Sequence, residues 1–352
     1  MNPLLRLHED FEISCNVLAR LIASRREHNE KALLFKDFLS KSIQIKPNRR
    51  AELTLVALSS FTPPDIRSLV QQFELTDEAP SRIGADVAIV TVIQAELNAA
   101  KIAFGISLDV FEDRTENGLR FWETAIRIGG NDEEIKVVLT MIGKAGNVEC
   151  AVACGRVFQT YDVGLCILVG IAAGLKTEVN LGDVVVGSLI LDYEPARQEV
   201  DGLKKRPTPY TLQKTIERDL NYFNPTFGGW YQQLSEKMTV TAITSPLPVL
   251  PNDWKPKFHK GIILAGEKLL ADGSLPEMQQ EFHNKVRAAE MEGSGFAGVC
   301  DEYAIPWLVF RGISDFGDPE KDDTWQGVAA LAAATAAHTF LKSDYRRKPT
   351  KF

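Results

Sequence analysis

An apolar run near the C-terminus, followed at once by polar residues, constrains the fold of this chain more than any other segment. Residues 305–310 read Ile-Pro-Trp-Leu-Val-Phe, and residues 311–315 read Arg-Gly-Ile-Ser-Asp. A short, nearly continuous apolar run indicates a strand buried on both faces, as in the sheets of α/β proteins. Ligand sites of such folds lie at strand ends. The pattern therefore predicts an α/β fold with Asp315 at its ligand site.

A second acid follows the preceding strand pattern. Residues 289–295 read Ala-Glu-Met-Glu-Gly-Ser-Gly, which ends a strand and opens a helix. Glu292 and Asp315 would then face one cleft. Taken singly, each acid is better explained as a helix-capping or turn residue, so the prediction depends on the two occurring together.

Length and composition narrow the class of protein. With 352 residues, 45% of them hydrophobic, the chain can fill the core of one large α/β domain and a small one. Its net charge of −7 gives no electrostatic reason to expect nucleic-acid binding, and no segment is typical of a signal peptide or membrane span. Five cysteines in mostly apolar surroundings predict buried thiols, which is typical of a cytoplasmic protein. We expect neither a metal site nor a cofactor.

The chain divides near residue 80. Before it, apolar residues recur at helical spacing, which predicts a small helical domain at residues 1–80 for regulation, oligomerisation or partner docking. Residues 84–342 alternate strand and helix patterns, with a long insertion at 192–237, and residues 343–352 form a basic tail. Strands are predicted at 87–93, 120–128, 135–142, 165–171, 183–186, 261–265 and 305–310, and helices at 148–158, 293–300 and 328–341.

Two glycine-rich turns leave predicted strands. Residues 143–146, Gly-Lys-Ala-Gly, precede a helix and so offer backbone N–H groups to an anion, but they match neither the P-loop nor the dinucleotide-binding pattern. Residues 170–174, Gly-Ile-Ala-Ala-Gly, have small side chains that allow a flat ring or a ribose to approach the backbone. A tight turn requires the same glycines.

In this order, the motifs resemble the nucleoside phosphorylase superfamily, most closely its methylthioadenosine/S-adenosylhomocysteine nucleosidase branch. The resemblance runs from about Asp86 to Leu341 and implies a three-layer α/β/α sandwich with a mixed central sheet. The segments that carry it are residues 86–97 (Asp-Val-Ala-Ile-Val-Thr-Val-Ile-Gln-Ala-Glu-Leu), 142–144 (Ile-Gly-Lys), 169–175 (Val-Gly-Ile-Ala-Ala-Gly-Leu), 181–186 (Leu-Gly-Asp-Val-Val-Val), 290–292 (Glu-Met-Glu) and 313–315 (Ile-Ser-Asp).

The resemblance also implies residue roles in purine N-glycoside cleavage. Asp315 would protonate or hydrogen-bond the purine at N7, Glu292 would hold the ribose hydroxyls, and Glu96 would activate water. Met291 would pack under the sugar. The remaining residues implied at the substrate are Ile142, Gly170, Ile171, Ala172, Leu269, Glu290, Arg311 and Ser314.

The first loop favours hydrolysis over phosphorolysis. A phosphorylase must hold a phosphate dianion with cationic and N–H donors, whereas residues 91–96, Thr-Val-Ile-Gln-Ala-Glu, contain a carboxylate and no arginine. Asp315 can donate to N7 or accept from an exocyclic amine, which favours adenine. A phosphate-dependent purine nucleoside phosphorylase remains the alternative.

Two departures leave the 5′ substituent of the substrate open. Residues 266–270 read Gly-Glu-Lys-Leu-Leu where the family has a purine-stacking Phe, so either Leu269 takes that place or the aromatic ring comes from elsewhere in the chain. The insertion contains Lys204, Lys205 and Arg206, either as contacts to a 5′-phosphate or as part of a solvated helical segment or subunit contact. The alternatives are a housekeeping nucleosidase for methylthioadenosine-type substrates and a homo-oligomeric AMP/ATP nucleosidase resembling the regulated effectors of bacterial antiviral defence.

Overall fold

The computed structural model describes residues 82–128, 133–226, 229–238, 248–343 and 345. The predicted helical domain at residues 1–80, Cys15 within it, and most of the tail at 343–352 lie outside these ranges. None of the helices among the described residues is both long and apolar enough to cross a membrane.

The described residues alternate strands and helices, as the sequence pattern predicts. The strands are β1 (Ile83–Thr91), β2 (Arg114–Glu116), β3 (Leu119–Ile128), β4 (Glu133–Met141), β5 (Tyr161–Gly174), β6 (Val184–Asp192), β7 (Ala196–Glu199), β8 (Gly202–Lys205), β9 (Thr208–Thr211), β10 (Phe258–Ala265), β11 (Val286–Glu290) and β12 (Trp307–Asp315). The helices are α1 (Gln94–Ala103), α2 (Asn147–Thr160), α3 (Lys214–Tyr222), α4 (Trp230–Met238), α5 (Leu275–Phe282), α6 (Gly293–Glu302) and α7 (Gln326–Ser343).

One mixed sheet forms the centre of the described region, in the order β11-β10-β6-β12-β5-β1-β4-β3-β2. Strands β1, β4, β5 and β12 run parallel to their neighbours within this group. Strand β6 lies antiparallel to β12, and β3 lies antiparallel to β4. The predicted mixed sheet is confirmed.

The sheet folds back on itself through the long strand β5. Its first part pairs with β1, its later part pairs with β12, and its last residues pair with β11. The pairs Ala288–Gly174 and Ala289–Ala173 make that last contact antiparallel. The end of β11 is thereby brought against the bend of β5, where the glycine-rich turn lies.

Helices cover both faces of the sheet. Helices α1, α4 and α7 pack together on one face, and α2 and α6 pack together on the other. Helix α7 is rich in alanine and almost fully buried, which lets it lie close to β12 and β5. The close contact of α2 with α6 requires a glycine, because a Cβ on Gly295 would overlap the carbonyl of Asn147. The three-layer arrangement is therefore as predicted.

The first half of the insertion is β structure and not the helical segment that the sequence suggested. Strands β7 and β8 form an exposed hairpin, and β9 pairs with residues Leu189–Asp192 of β6. Strand β10 pairs with β6 along its length on one side, whereas β12 pairs only with the start of β6 on the other. The backbone groups at the end of β6 on that second side need another partner. Strand β9 supplies it, and α3 and α4 follow.

Four cysteines, Cys150, Cys154, Cys166 and Cys300, are buried as free thiols. For Cys166, burial raises the pKa of the thiol well above its ordinary value. Burial likewise raises the pKa of Cys300, to about 11. These thiols are therefore protonated core residues, as the apolar sequence around them predicts.

Candidate active site

A cavity of about 260 Å³ opens where β1, β11 and β12 end and where β5 bends. Its walls come from the loop after β1, the β11–α6 junction, the loop after β10 and the loop before α7. The lining residues are Val92, Ile93, Glu96, Ala145, Ile171, Ala172, Ala173, Lys268, Leu269, Leu270, Ala289, Glu290, Met291, Glu292, Ser314, Asp315, Lys321, Asp323 and Gln326.

Glu96 is held in the wall of the cavity by backbone donors from the loop after β1 and from β5. Its Oε2 accepts hydrogen bonds from Val92 N at 2.7 Å and Ile93 N at 3.2 Å, which also caps the first turn of α1. Its Oε1 accepts one from Ile171 N at 2.9 Å, on the bend of β5. Burial raises the pKa of the Glu96 carboxyl, although Arg311 offsets part of the rise.

Arg311 lies fully buried beneath the cavity and connects three carboxylates. Its Nη2 donates to Glu290 Oε2 and, at 3.0 Å, to Glu292 Oε2. Its Nη1 lies 3.9 Å from Glu96 Oε1. Burial alone would lower the pKa of Arg311, but the three carboxylates raise it above its ordinary value. One guanidinium thus faces three acids, so the cluster is negative when all three are ionised.

Glu292 occupies the anion position at the N-terminus of α2. Gly146 N donates to its Oε1 at 3.1 Å, and Glu267 Oε1 accepts from the next residue, Asn147 N, at 3.1 Å. The glycine-rich turn that could have bound an external anion therefore holds the protein's own carboxylates. Burial, together with Glu290, raises the pKa of Glu292 against the effect of Arg311.

Asp315 lies at the end of β12 and accepts hydrogen bonds at both oxygens. Gly317 N donates to Oδ1 at 2.8 Å, and Ser314 Oγ donates to Oδ2 at 2.9 Å. Lys321 Nζ lies 3.3 Å from the same Oδ2. These contacts fix the position of the Asp315 carboxyl group in the cavity wall.

The small residue at position 170 is required by this arrangement. A Cβ on Gly170 would overlap Arg311 Nη1 and the carboxyl of Glu96. The glycine lets β5 pass close to both charged groups, which brings Ile171 N within hydrogen-bonding distance of Glu96.

The structure brings most of the residues predicted from sequence into this one cavity. Those that line it are Glu96, Ile171, Ala172, Leu269, Glu290, Met291, Glu292, Ser314 and Asp315. Gly170 and Arg311 lie directly behind the lining, as their contacts with Glu96 show. Ile142 is absent from the lining; its backbone N–H donates to Thr91 O at 2.8 Å, which joins the end of β4 to β1.

The basic cluster of the insertion lies outside the cavity lining. Lys204 and Arg206 are exposed, and Lys205 Nζ is 2.5 Å from Glu281 Oε2 and 4.8 Å from the ring centre of Phe282. The lysines that line the cavity are instead Lys268 and Lys321. The sequence carried no signal for either, because each lies in a loop rich in charged residues.

Comparison with known proteins agrees with this arrangement. The family model described as the phosphorylase superfamily matches residues 86–343. The chain belongs to this superfamily. The match covers the sheet from β1 onward and every segment that lines the cavity, so the resemblance inferred from the sequence motifs is confirmed.

Curated relatives share the superfamily domain. ATP nucleosidase Cap17 of Escherichia coli (strain KTE188) is 32% identical over 269 residues, which are 74% of this chain and 52% of that protein. The 5′-methylthioadenosine/S-adenosylhomocysteine nucleosidase of Psychromonas ingrahamii is 24% identical, over 57% of this chain and 78% of that enzyme. The chain thus spans about half the length of the first of these superfamily relatives.

A solved structure shares the fold. The 5′-methylthioadenosine/S-adenosylhomocysteine nucleosidase of Neisseria meningitidis, in complex with methylthio-immucillin-A, superposes with a TM-score of 0.52. It covers 73% of this chain and 99% of that chain at 18% identity. At this identity, the likeness establishes the phosphorylase-superfamily fold.

Proposed function

We propose that this protein hydrolyses the N-glycosidic bond of an adenine nucleoside or nucleotide and releases adenine and a ribose product. The observation that carries the proposal is the convergence of Glu96, Glu292 and Asp315, from three separate segments, on one cavity. Cleavage of such a bond requires an acid for the leaving base, a group that holds the sugar and a base for water. The three carboxyl groups supply these roles.

In the proposed reaction, the C1′–N9 bond breaks and its electron pair stays with the base. Asp315 gives a proton to N7, while Glu292 accepts hydrogen bonds from the ribose hydroxyls. Water attacks C1′, and Glu96 takes the water proton. The sugar is positively charged as the bond breaks, and the negative cluster around Arg311 stabilises that charge.

Water fits this site better than phosphate as the nucleophile. A phosphate dianion beside Glu96 would meet three buried carboxylates, and the guanidinium of Arg311 already faces all of them. The N-terminus of α2 is also occupied by Glu292 and Glu267. The charge of the site therefore supports hydrolysis.

The test is adenine release in phosphate-free buffer. The full chain is incubated with adenosine, AMP, ATP or methylthioadenosine, and free adenine and the sugar product are quantified by chromatography. We expect free ribose or its 5′-phosphorylated form. Strict dependence on phosphate, with ribose 1-phosphate as the product, would reassign the protein to the phosphorylases. Inosine and 7-deazaadenosine should be poor substrates, because the first lacks the exocyclic amine and the second lacks N7.

Within this class we propose a nucleotide substrate, AMP or ATP, and a role as a regulated nucleotide-depleting effector in bacterial antiviral defence. The 32% identity to a protein named an ATP nucleosidase supports the substrate, and so does Lys268 in the cavity wall. A rate for methylthioadenosine far above the rates for AMP and ATP would instead indicate a housekeeping nucleosidase.

A further inference from the structure

We infer that Glu290 is a positioning residue that caps helix α6 in place of Glu292, which leaves the carboxyl group of Glu292 for the ribose. The sequence motif implied that both acids contact the substrate. The inference rests on the proposed function, because it concerns how the group that holds the sugar in that reaction is kept in place.

The N-terminus of α6 needs an acceptor that its own N-cap residue does not supply. Backbone N–H groups in the first turn of a helix have no partner within the helix, and the N-cap side chain usually accepts from one of them. Glu292 is the N-cap residue of α6, yet its side chain makes no such capping hydrogen bond. It accepts instead from Gly146 N at 3.1 Å and from Arg311 Nη2 at 3.0 Å.

Glu290, at the end of β11, provides the missing acceptor. Its Oε1 accepts from Gly293 N at 2.8 Å. Its Oε2 accepts from Glu292 N and Gly293 N, both at 3.0 Å, and from Arg311 Nη2. The start of α6 is thus held without the side chain of Glu292.

These contacts connect Glu290 to Glu292 by two routes. One runs through the backbone N–H of Glu292, and the other runs through Arg311, whose Nη2 donates to both side chains. The side chain of Glu290 is 2% exposed, compared with 6% for Glu292. A displacement of the Glu290 carboxyl group should therefore displace the Glu292 carboxyl group as well.

Glu96 is anchored independently of Glu290. Its carboxyl group accepts from three backbone N–H groups, those of Val92, Ile93 and Ile171. The group that activates water should consequently stay in place when Glu290 moves. Loss of Glu290 should impair the hold on the ribose selectively.

The contact between Glu290 and α6 requires a glycine at position 293. A Cβ on Gly293 would overlap Glu290 Oε1. Gly293→Ala therefore displaces the Glu290 carboxyl group from the opposite side and leaves the number of acids around Arg311 unchanged.

The experiment compares adenosine with 2′,3′-dideoxyadenosine on the full chain. The second substrate has the same base but lacks both ribose hydroxyls, so Glu292 has nothing to hold. Glu290→Asp keeps a carboxyl group but withdraws it by about 1.5 Å, the length of one C–C bond. It should lower kcat/KM for adenosine about 10- to 100-fold, the effect of weakening a hydrogen bond to a charged group. Release of adenine from dideoxyadenosine should change less than about threefold, because no such hydrogen bond is lost.

A second variant and two controls accompany this comparison. Gly293→Ala should show the same selective loss, and it carries the test if circular dichroism shows that Glu290→Asp does not fold. Glu277→Asp makes the same change in the exposed first turn of α5, and Gly155→Ala adds a Cβ to α2 where no atom lies within 4 Å. Both controls should leave both rates unchanged. Equal slowing of the two substrates by the Glu290 and Gly293 variants, or no slowing of adenosine, would overturn the inference.

A double-mutant cycle decides whether Glu290 acts through Glu292 or touches the ribose itself. In a chain that carries Glu292→Ala, Glu290→Asp should cause no further loss with adenosine, because the group it positions is already missing. Losses that multiply would show that Glu290 holds a hydroxyl directly and would overturn the inference. A wild-type chain that releases adenine from neither substrate would instead contradict the proposed function itself.

Discussion

At the scale of single residues, the charges around Arg311 do not balance. Glu96, Glu290 and Glu292 are all at most 8% exposed, and the one guanidinium among them cannot neutralise all three. Burial of that kind is unfavourable unless something compensates it. In the proposed reaction the sugar becomes positively charged as the bond breaks, so the compensation would arise in the transition state, as catalysis requires.

The first prediction concerns the acid and the base. Asp315→Asn and Glu96→Gln should each reduce kcat for adenine release about 10²- to 10⁴-fold, because each removes a proton-transfer group. Circular dichroism should show an unchanged fold. Asp162→Asn and Glu149→Gln make the same chemical changes at exposed acids and should leave kcat as it is. Turnover like that of the wild type in either site variant removes that residue from the mechanism.

The second prediction is a pH dependence. Burial raises the pKa of Glu96 above its ordinary 4.5, and a general base must be deprotonated to act. Activity should therefore rise with pH on the acid side, with a midpoint in kcat/KM above 4.5. The same midpoint should appear with 4-nitrophenyl riboside, which needs the base but not the acid. A midpoint at or below 4.5 would contradict the assignment of Glu96.

At the scale of elements, the bend of β5 is the part of the sheet that makes the site. It presents Ile171 N to Glu96, and it passes Arg311 at a point where only glycine fits. Strand β5 also pairs with β1, β12 and β11. A displacement of the bend would therefore move every carboxylate of the site.

The third prediction follows from that contact. Gly170→Ala should lower the free energy of unfolding by about 1–3 kcal/mol through overpacking and should reduce turnover as Glu96 shifts. Gly84→Ala, also in a strand, is the matched control because a Cβ there meets no atom within 4 Å. Urea unfolding and adenine release measure both effects. If Gly170→Ala lowers the free energy of unfolding no more than Gly84→Ala does, the close approach of β5 to Glu96 and Arg311 is contradicted.

Much of the sheet was predictable from sequence because apolar runs record burial directly. The strand predicted at 165–171 lies within β5, and the helix predicted at 328–341 lies within α7. Glu292 and Asp315 were found because both follow such runs. The contacts of Arg311 and Lys321 depend on side chains that meet only in the folded chain, so no local pattern reported them. Strand β9 was missed because its pairing with the end of β6 likewise forms only in the folded chain.

The fourth prediction compares Lys268, in the cavity wall, with the basic cluster of the insertion. If the substrate carries 5′-phosphates, Lys268→Ala should raise KM for ATP more than the triple replacement of Lys204, Lys205 and Arg206 by alanine. Lys268 lines the cavity, whereas the three basic residues of the insertion lie outside its lining. KM for adenosine, which has no phosphate, should stay unchanged in both variants and serves as the control. A larger rise in the triple variant would return the 5′-phosphate role to the insertion.

At the scale of the whole molecule, the superfamily domain carries all the chemistry proposed here. The family match begins at residue 86, and the site lies between Val92 and Gln326. Residues 1–80 carry no motif for that chemistry in their sequence. We therefore propose that residues 1–80 control assembly or activity.

The last prediction tests whether residues 1–80 control the protein while the superfamily domain carries the chemistry. A chain that begins at residue 82 should fold and retain adenine release, because the sheet and the cavity are built from residues after that point. Its oligomeric mass or its response to an activating signal should differ from that of the full chain. Multi-angle light scattering gives the mass, and adenine release measured with and without infected-cell extract gives the response. The full chain carrying Asp315→Asn controls for adenine released by the extract itself. If the shortened chain matches the full chain in mass, turnover and response, residues 1–80 have no part in regulation; if it folds but loses turnover, they contribute to the site directly.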